Sequence, residues 1–88
     1  MPKIVLIVAG FDPSGGAGLL ADAATVRRHG LYPVAVATAL TEQDSSNCRA
    51  VHPVAAELVV KQICLLLADF GGALAAIKIG MLGPGAAG

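Results

Sequence analysis

The chain alternates between short apolar runs and segments of helical periodicity. Ile4-Val5-Leu6-Ile7-Val8-Ala9 is continuously apolar and rich in β-branched residues. Such a run predicts a strand buried on both faces, as in a parallel sheet. A glycine-rich turn follows, and from Gly15 to about His29 the pattern is helical. Leu19, Ala23 and Val26 share one face there, with Leu20 and Ala24 beside it. Pro13 bars a helix from starting earlier, and Ser14 is the candidate N-cap. Arg27, Arg28 and His29 close the helix where cations suit its dipole, and Gly30 suits the position just past the end.

A second buried strand is predicted over Tyr32 to Leu40, around Val34-Ala35-Val36-Ala37. Thr41 to Val51 is polar and reads as a loop at that strand's carboxyl end, the edge where open α/β sheets bind ligands. Pro53 suits the first position of a helix continuing to about Asp69, with Glu57 and Lys61 as an i,i+4 pair. Leu58, Ile63, Leu65, Leu66 and Leu67 make that helix apolar around most of its circumference, so it should be largely covered. Gly71-Gly72 stops it, and Ala75-Ala76-Ile77-Lys78-Ile79 is a third strand. The order β-α-β-α-β implies a three-stranded parallel sheet with packed helices.

Composition changes this picture in one respect. Of 88 residues, 56% are hydrophobic and 14% charged, which is too apolar for the surface of a free-standing domain of this size. No apolar run reaches the ~18 residues of a membrane-spanning helix. The reading is therefore a piece of a larger domain, or a half that pairs with something, with self-association through its bare sheet edge as a consequence. Net charge is zero, and the basic residues do not cluster beyond Arg27-Arg28, so no nucleic-acid footprint is present. Cys48 and Cys64 form no metal-ligand pattern, and Cys64, inside an apolar helical run, reads as core filling. The opening residues do not read as a signal peptide, so a reduced, cytoplasmic protein is the expectation.

Candidate chemistry centres on Ala9-Gly10-Phe11-Asp12-Pro13-Ser14-Gly15-Gly16-Ala17-Gly18, a strand, a turn and a helix start. Glycines let a ligand approach where a Cβ would stand in the way. Gly10 and Gly15 have the spacing of a phosphate-binding loop, but Gly16-Ala17 stand where that motif needs Lys and Ser or Thr. Gly16, Gly18 and Ala21 meet the dinucleotide pattern G-x-G-x-x-G/A, with Glu42 past the second strand. Against it, Asp12-Pro13-Ser14 separate these glycines from the strand, and Asp12 would set a carboxylate near a pyrophosphate. His52, before Pro53, reads as structural.

Four blocks carry a family resemblance: Ala9 to Gly18, Ala21-Asp22, Thr38-Ala39-Leu40-Thr41-Glu42-Gln43-Asp44, and Lys78-Ile79-Gly80-Met81-Leu82. In order and content they resemble the hydroxymethylpyrimidine/phosphomethylpyrimidine kinases of thiamine biosynthesis, members of the ribokinase superfamily. The resemblance implies a β-α-β-α-β parallel-sheet half of a ribokinase-like (Rossmann-like) fold, with residues 1–88 forming its N-terminal, acceptor-substrate part. It implies ATP- and Mg²⁺-dependent phosphorylation of 4-amino-5-hydroxymethyl-2-methylpyrimidine and then of its monophosphate. By position, Gln43 would hydrogen-bond the pyrimidine through an amide that offers donor and acceptor side by side. The Thr41 backbone would lie nearby, and Asp22 would approach the hydroxymethyl oxygen. Gly10 and the Gly15–Gly18 segment, with Gly16 and Gly18, would line the pocket, and Met81 would pack on the ring. Glu42 and Asp44-Ser45 depart from the family's usual residues. Nothing matches the family's second half, which supplies the ATP site and the catalytic acid/base group, so the 88 residues are expected to be inactive alone. Two alternatives stand beside this reading: a dinucleotide-binding half-domain of an oxidoreductase, and a fragment that binds nothing.

Overall fold

The computed structural model describes residues 3–80. They form β1 (Ile4–Phe11), α1 (Gly18–Arg28), β2 (Tyr32–Gln43), β3 (Cys48–Pro53), α2 (Ala56–Phe70), a 3₁₀ turn (Gly71–Ala73) and β4 (Leu74–Ile79). The sheet has four strands in the order β3-β2-β1-β4. β1 lies between β2 and β4 and pairs with both in parallel. The predicted β-α-β-α-β order therefore holds for β1, β2 and β4, while β3 occupies a stretch whose polarity predicts a loop.

β1 is the centre because every residue from Ile4 to Ala9 is buried. Its side chains alternate between the two faces of the sheet. Val5, Ile7 and Ala9 meet Val26, Leu19 and Ala23 of α1, together with Leu31. Leu6 and Val8, with Val36 of β2, meet Val59, Ile63 and Leu66 of α2. The predicted inner face of α1 is thus the observed one.

α1 starts at Gly18 rather than Gly15, and its N-cap is Ala17, which has no side chain to cap with. Ser14 does not cap the helix. It belongs to a turn closed by Gly15 N–H donating to the Asp12 carbonyl at 3.1 Å. Gly18 has φ +67, and a Cβ there would lie 2.2 Å from the Gly10 carbonyl oxygen. The C-terminus follows the predicted pattern. Gly30 N–H donates to the Arg27 carbonyl at 3.0 Å and Leu31 N–H to the Val26 carbonyl at 3.2 Å. These two bonds are the Schellman arrangement, with Gly30 in the left-handed region at φ +74.

β2 runs past Leu40 to Gln43, and β3 returns antiparallel to it, Ala39 opposite Pro53 and Gln43 opposite Cys48. Asp44 makes the turn between them. Its Oδ1 accepts from Ser46 N–H at 2.8 Å and Asn47 N–H at 2.9 Å, an Asx-type turn. Pro53 consequently ends an edge strand, where a missing N–H costs no ladder bond, and does not start α2, which begins at Ala56.

α2 is less covered than its composition predicts. Val59, Ile63 and Leu66 face the sheet, while Leu58 and Leu65 are exposed, as are Ile77 and Ile79 on edge strand β4. Cys64 is exposed too, so it is not core filling. Among the described residues no helix is long and apolar enough to cross a membrane.

Gly18→Ala and Gly30→Ala separate conformational strain from collision. Both put an alanine at positive φ, at a cost of about 1–2 kcal/mol. At Gly30 a Cβ would meet nothing within 4 Å, whereas at Gly18 the methyl group also meets backbone. Urea unfolding is expected to show Gly18→Ala more destabilising than Gly30→Ala by about 1–3 kcal/mol, the usual cost of overpacking.

Candidate functional site

The carboxyl ends of β1, β2 and β4 open into one cavity of about 510 Å³. Parallel strands end together at this edge, and the turns after them leave a crevice. The end of β1 and the turn after it supply Gly10, Asp12 and Ala17, and α1 supplies Gly18 and Asp22. β2 supplies Ala39, Thr41 and Gln43, which share a face by the strand's two-residue period. Cys48 and Val51 of β3 form the far side, and Lys78, Ile79 and Gly80 close it at β4.

Of the residues expected at the site, Gly10, Gly18, Asp22, Thr41 and Gln43 line this cavity together. Gly16 is not among its lining residues. It sits within the turn, where a Cβ would come 3.6 Å from Asp12 Oδ2 and 3.8 Å from Ser14 Oγ. Met81 lies outside the described residues. Asp12, Ala39, Cys48, Val51, Lys78 and Gly80 also line the cavity, and sequence reasoning assigns none of them a place there. Cys48 and Val51 escape it because the polarity of their segment hides a strand. Lys78 carries a usable signal: a lone charge in an apolar strand marks a face that is not core.

The two carboxylates in the cavity are held differently. Asp12 is buried, and its oxygens are committed to its own turn. Oδ1 accepts from Ser14 N–H at 2.8 Å and from the Ser14 hydroxyl at 2.7 Å, and Oδ2 accepts from Ala17 N–H at 3.2 Å. The Ser14 hydroxyl, then the nearby N–H groups of Ser14, Ala17 and Gly16, hold the Asp12 carboxyl below its ordinary value of 3.8, against the opposing effect of burial. This arrangement bears on the dinucleotide reading. A fixed negative charge sits beside the helix start and takes the N–H of Ala17, its N-cap, which opposes a pyrophosphate there.

Asp22 is bound from across the cavity: Lys78 Nζ donates to its Oδ1 at 2.6 Å. Its other oxygen faces Gly80, where a Cβ would stand 3.2 Å from Oδ2 and 2.7 Å from the Ala9 Cβ. The glycine at position 80 thus leaves room for both. Gly80 N–H continues the ladder onto the Val8 carbonyl at 2.9 Å. Thr41 donates its hydroxyl to the Phe11 carbonyl at 3.1 Å, which ties the base of the β2–β3 hairpin to the end of β1. On the hairpin's other face, Glu42 and His52 pair across the strands. Among the described residues no three His, Cys, Asp or Glu side chains converge as a metal site.

The fold is that of ribokinase-like kinases. A phosphomethylpyrimidine kinase from Clostridium difficile superposes with a TM-score of 0.83 at 38% identity, covering 91% of this chain and 34% of that one. A Staphylococcus aureus pyridoxal kinase solved with AMP-PCP and pyridoxal superposes with a TM-score of 0.79 at 34% identity, covering 94% and 30%. In sequence, the hydroxymethylpyrimidine/phosphomethylpyrimidine kinase of Aquifex aeolicus is 43% identical over 79 residues, 90% of this chain and 30% of that protein. The family model for phosphomethylpyrimidine kinase matches residues 12–87. The chain belongs to the phosphomethylpyrimidine kinase family. It spans about a third of the length of the curated relatives it matches.

The Asp12 cap has a pH signature. Its carboxyl titrates lower in the folded chain than in the unfolded one, so its stabilisation is fully present above 3.8 and is lost as pH falls through the folded value. Asp44, held down by the N–H groups of Ser46 and Asn47, acts in the same direction. Thermal melts between neutral pH and the acid range are expected to show stability falling on acidification, and less steeply in Asp12→Asn. Equal slopes would remove Asp12 from the effect.

Proposed function

We propose that this chain forms the acceptor-substrate part of a kinase that phosphorylates 4-amino-5-hydroxymethyl-2-methylpyrimidine, and then its monophosphate, in thiamine biosynthesis. One observation carries the reading. Gln43, Thr41, Asp22 and the close-approach wall of Gly10 and Gly18 surround a single cavity. Its volume lies within the ~300–1,000 Å³ usual for small-ligand pockets.

The Gln43 amide presents a C=O and an NH₂ to the ring's amino group and ring nitrogen, a pairing that orients the ring in its plane. Thr41 and Ala39 extend that wall, and Cys48 and Val51 close over the ring from β3. Asp22 accepts a hydrogen bond from the hydroxymethyl group and fixes the oxygen that takes up the phosphoryl group, a contribution of position rather than of covalent chemistry. The Gly10–Gly18 segment acts as a wall for a neutral alcohol and not as a phosphate cradle, because the Asp12 carboxylate sits beside the helix start.

ATP supplies the transferred phosphoryl group. The kinase reading requires a bound nucleotide and Mg²⁺. We assign both mainly to the part of the kinase that corresponds to the remaining length of its relatives. Residues 1–88 are then one part of a single kinase domain. Among the described residues β4 is an edge strand, which suits pairing with a further strand, and self-association of the isolated chain through that edge is the corresponding expectation.

Calorimetric titration with the pyrimidine alcohol tests the site. Gln43→Ala is expected to weaken binding about 10-fold or more, as loss of hydrogen bonds worth ~1–3 kcal/mol implies. Unchanged affinity would remove Gln43 from the site. Incubation of the 88 residues with ATP, Mg²⁺ and the pyrimidine is expected to yield no phosphorylated product, and product formation would overturn the division of labour between the two parts.

A further inference from the structure

We infer that Lys78 is the residue through which this pocket accepts a phosphate monoester as well as an alcohol, by exchanging its partner from Asp22 to the phosphate. The inference rests on the acceptor-site reading above and deepens it.

Charge is the starting point. A neutral alcohol and its monoester differ by close to two negative charges at neutral pH. The lining of the cavity carries two carboxylates, Asp12 and Asp22, and a single cation, Lys78, among the described residues. A monoester entering among two carboxylates would be repelled at short range in a partly desolvated cleft. Asp12 cannot relieve this, since its oxygens are already committed to Ser14 and Ala17. Lys78 is the cation that can.

Geometry then assigns which partner moves. The Asp22 side chain is 17% exposed and that of Lys78 is 47% exposed. Asp22 stands on α1 with its Oδ2 facing Gly80 and is the more buried of the pair, so it has less freedom to move. Lys78 stands on an edge strand, with a flexible four-carbon stem and three rotatable donors, so it can turn without disturbing the core. An ion pair whose cation is this exposed is weak enough to be exchanged. With the alcohol bound, Lys78 stays on Asp22 Oδ1 and Oδ2 receives the hydroxyl. With the monoester bound, the ammonium turns to the phosphate oxygens, a pairing stronger than that with one carboxylate oxygen. No covalent bond changes, and the ammonium offsets negative charge in both states.

The test is titration of the chain with the pyrimidine alcohol and, separately, with its monophosphate. Lys78→Met is expected to lower the ratio of monophosphate to alcohol affinity about 10-fold or more, the scale of one charge-assisted hydrogen bond. Lys78→Arg, which keeps the charge, is expected to restore most of that ratio. Asp22→Asn removes the competing carboxylate and is expected to move the ratio the other way, with tighter monophosphate and weaker alcohol binding. It serves as the independent variant if Lys78→Met does not fold. An equal loss for both ligands in Lys78→Met, or an unmoved ratio in Asp22→Asn, would overturn the exchange while leaving the acceptor site intact. Failure of the unaltered chain to bind either ligand would overturn both.

Discussion

Everything in this chain depends on the burial of β1 on two faces and two edges at once. A strand in that position cannot leave any backbone group unpaired, because no water reaches it. Its ladders to β2 and β4 are therefore obligatory, and its side chains must be apolar on both sides. Those two demands place α1 on one face and α2 on the other. They also bring the carboxyl ends of three strands to one place, which creates the cavity. The site is a by-product of how a parallel strand must be covered.

The same logic explains why some of the fold is legible in the residues and some is not. β1, the inner face of α1 and the Arg27–Gly30 helix end are dictated by local chemistry: a β-branched run, a three-four spacing, a glycine where φ must be positive. The β2–β3 hairpin obeys a different rule. Its strand residues Thr41, Glu42 and Gln43 are polar because one face lines a cavity and the other meets solvent, so no apolar run announces them. The Asp44 turn is visible as composition, but only the pairing it closes turns polar residues into a strand. Cys64 shows the opposite error. An apolar neighbourhood in sequence suggests burial, yet α2 packs on the buried core through Val59, Ile63 and Leu66, and Cys64 faces away.

The candidate site divides along the same line. Gly10, Gly18, Asp22, Thr41 and Gln43 are accessible through a family pattern, and they line one cavity. In sequence Asp12 is conspicuous only as an obstacle to phosphate binding. In the fold it organises the turn, receiving the Ser14 donors and the N–H of Ala17 at the helix start. Lys78 and Gly80 lie within a family motif, but their relation to Asp22 requires β4 to lie beside β1, and Lys78 is fifty-six residues from that aspartate in sequence. Contacts at that separation follow from sheet order, which local periodicity does not specify.

β2 changes partners along its length, parallel to β1 at first and antiparallel to β3 at its end. Beyond Leu40 it has no neighbour in β1, and the Thr41 hydroxyl on Phe11 is the last tie to the rigid sheet. Gln43 and Cys48 therefore ride on a cantilever rooted in the core and loaded at its tip. At that root the backbone support falls from a four-stranded sheet to a two-stranded ribbon. Bending that two-stranded ribbon would shift Gln43 and Cys48 against the rest of the cavity lining without disturbing β1.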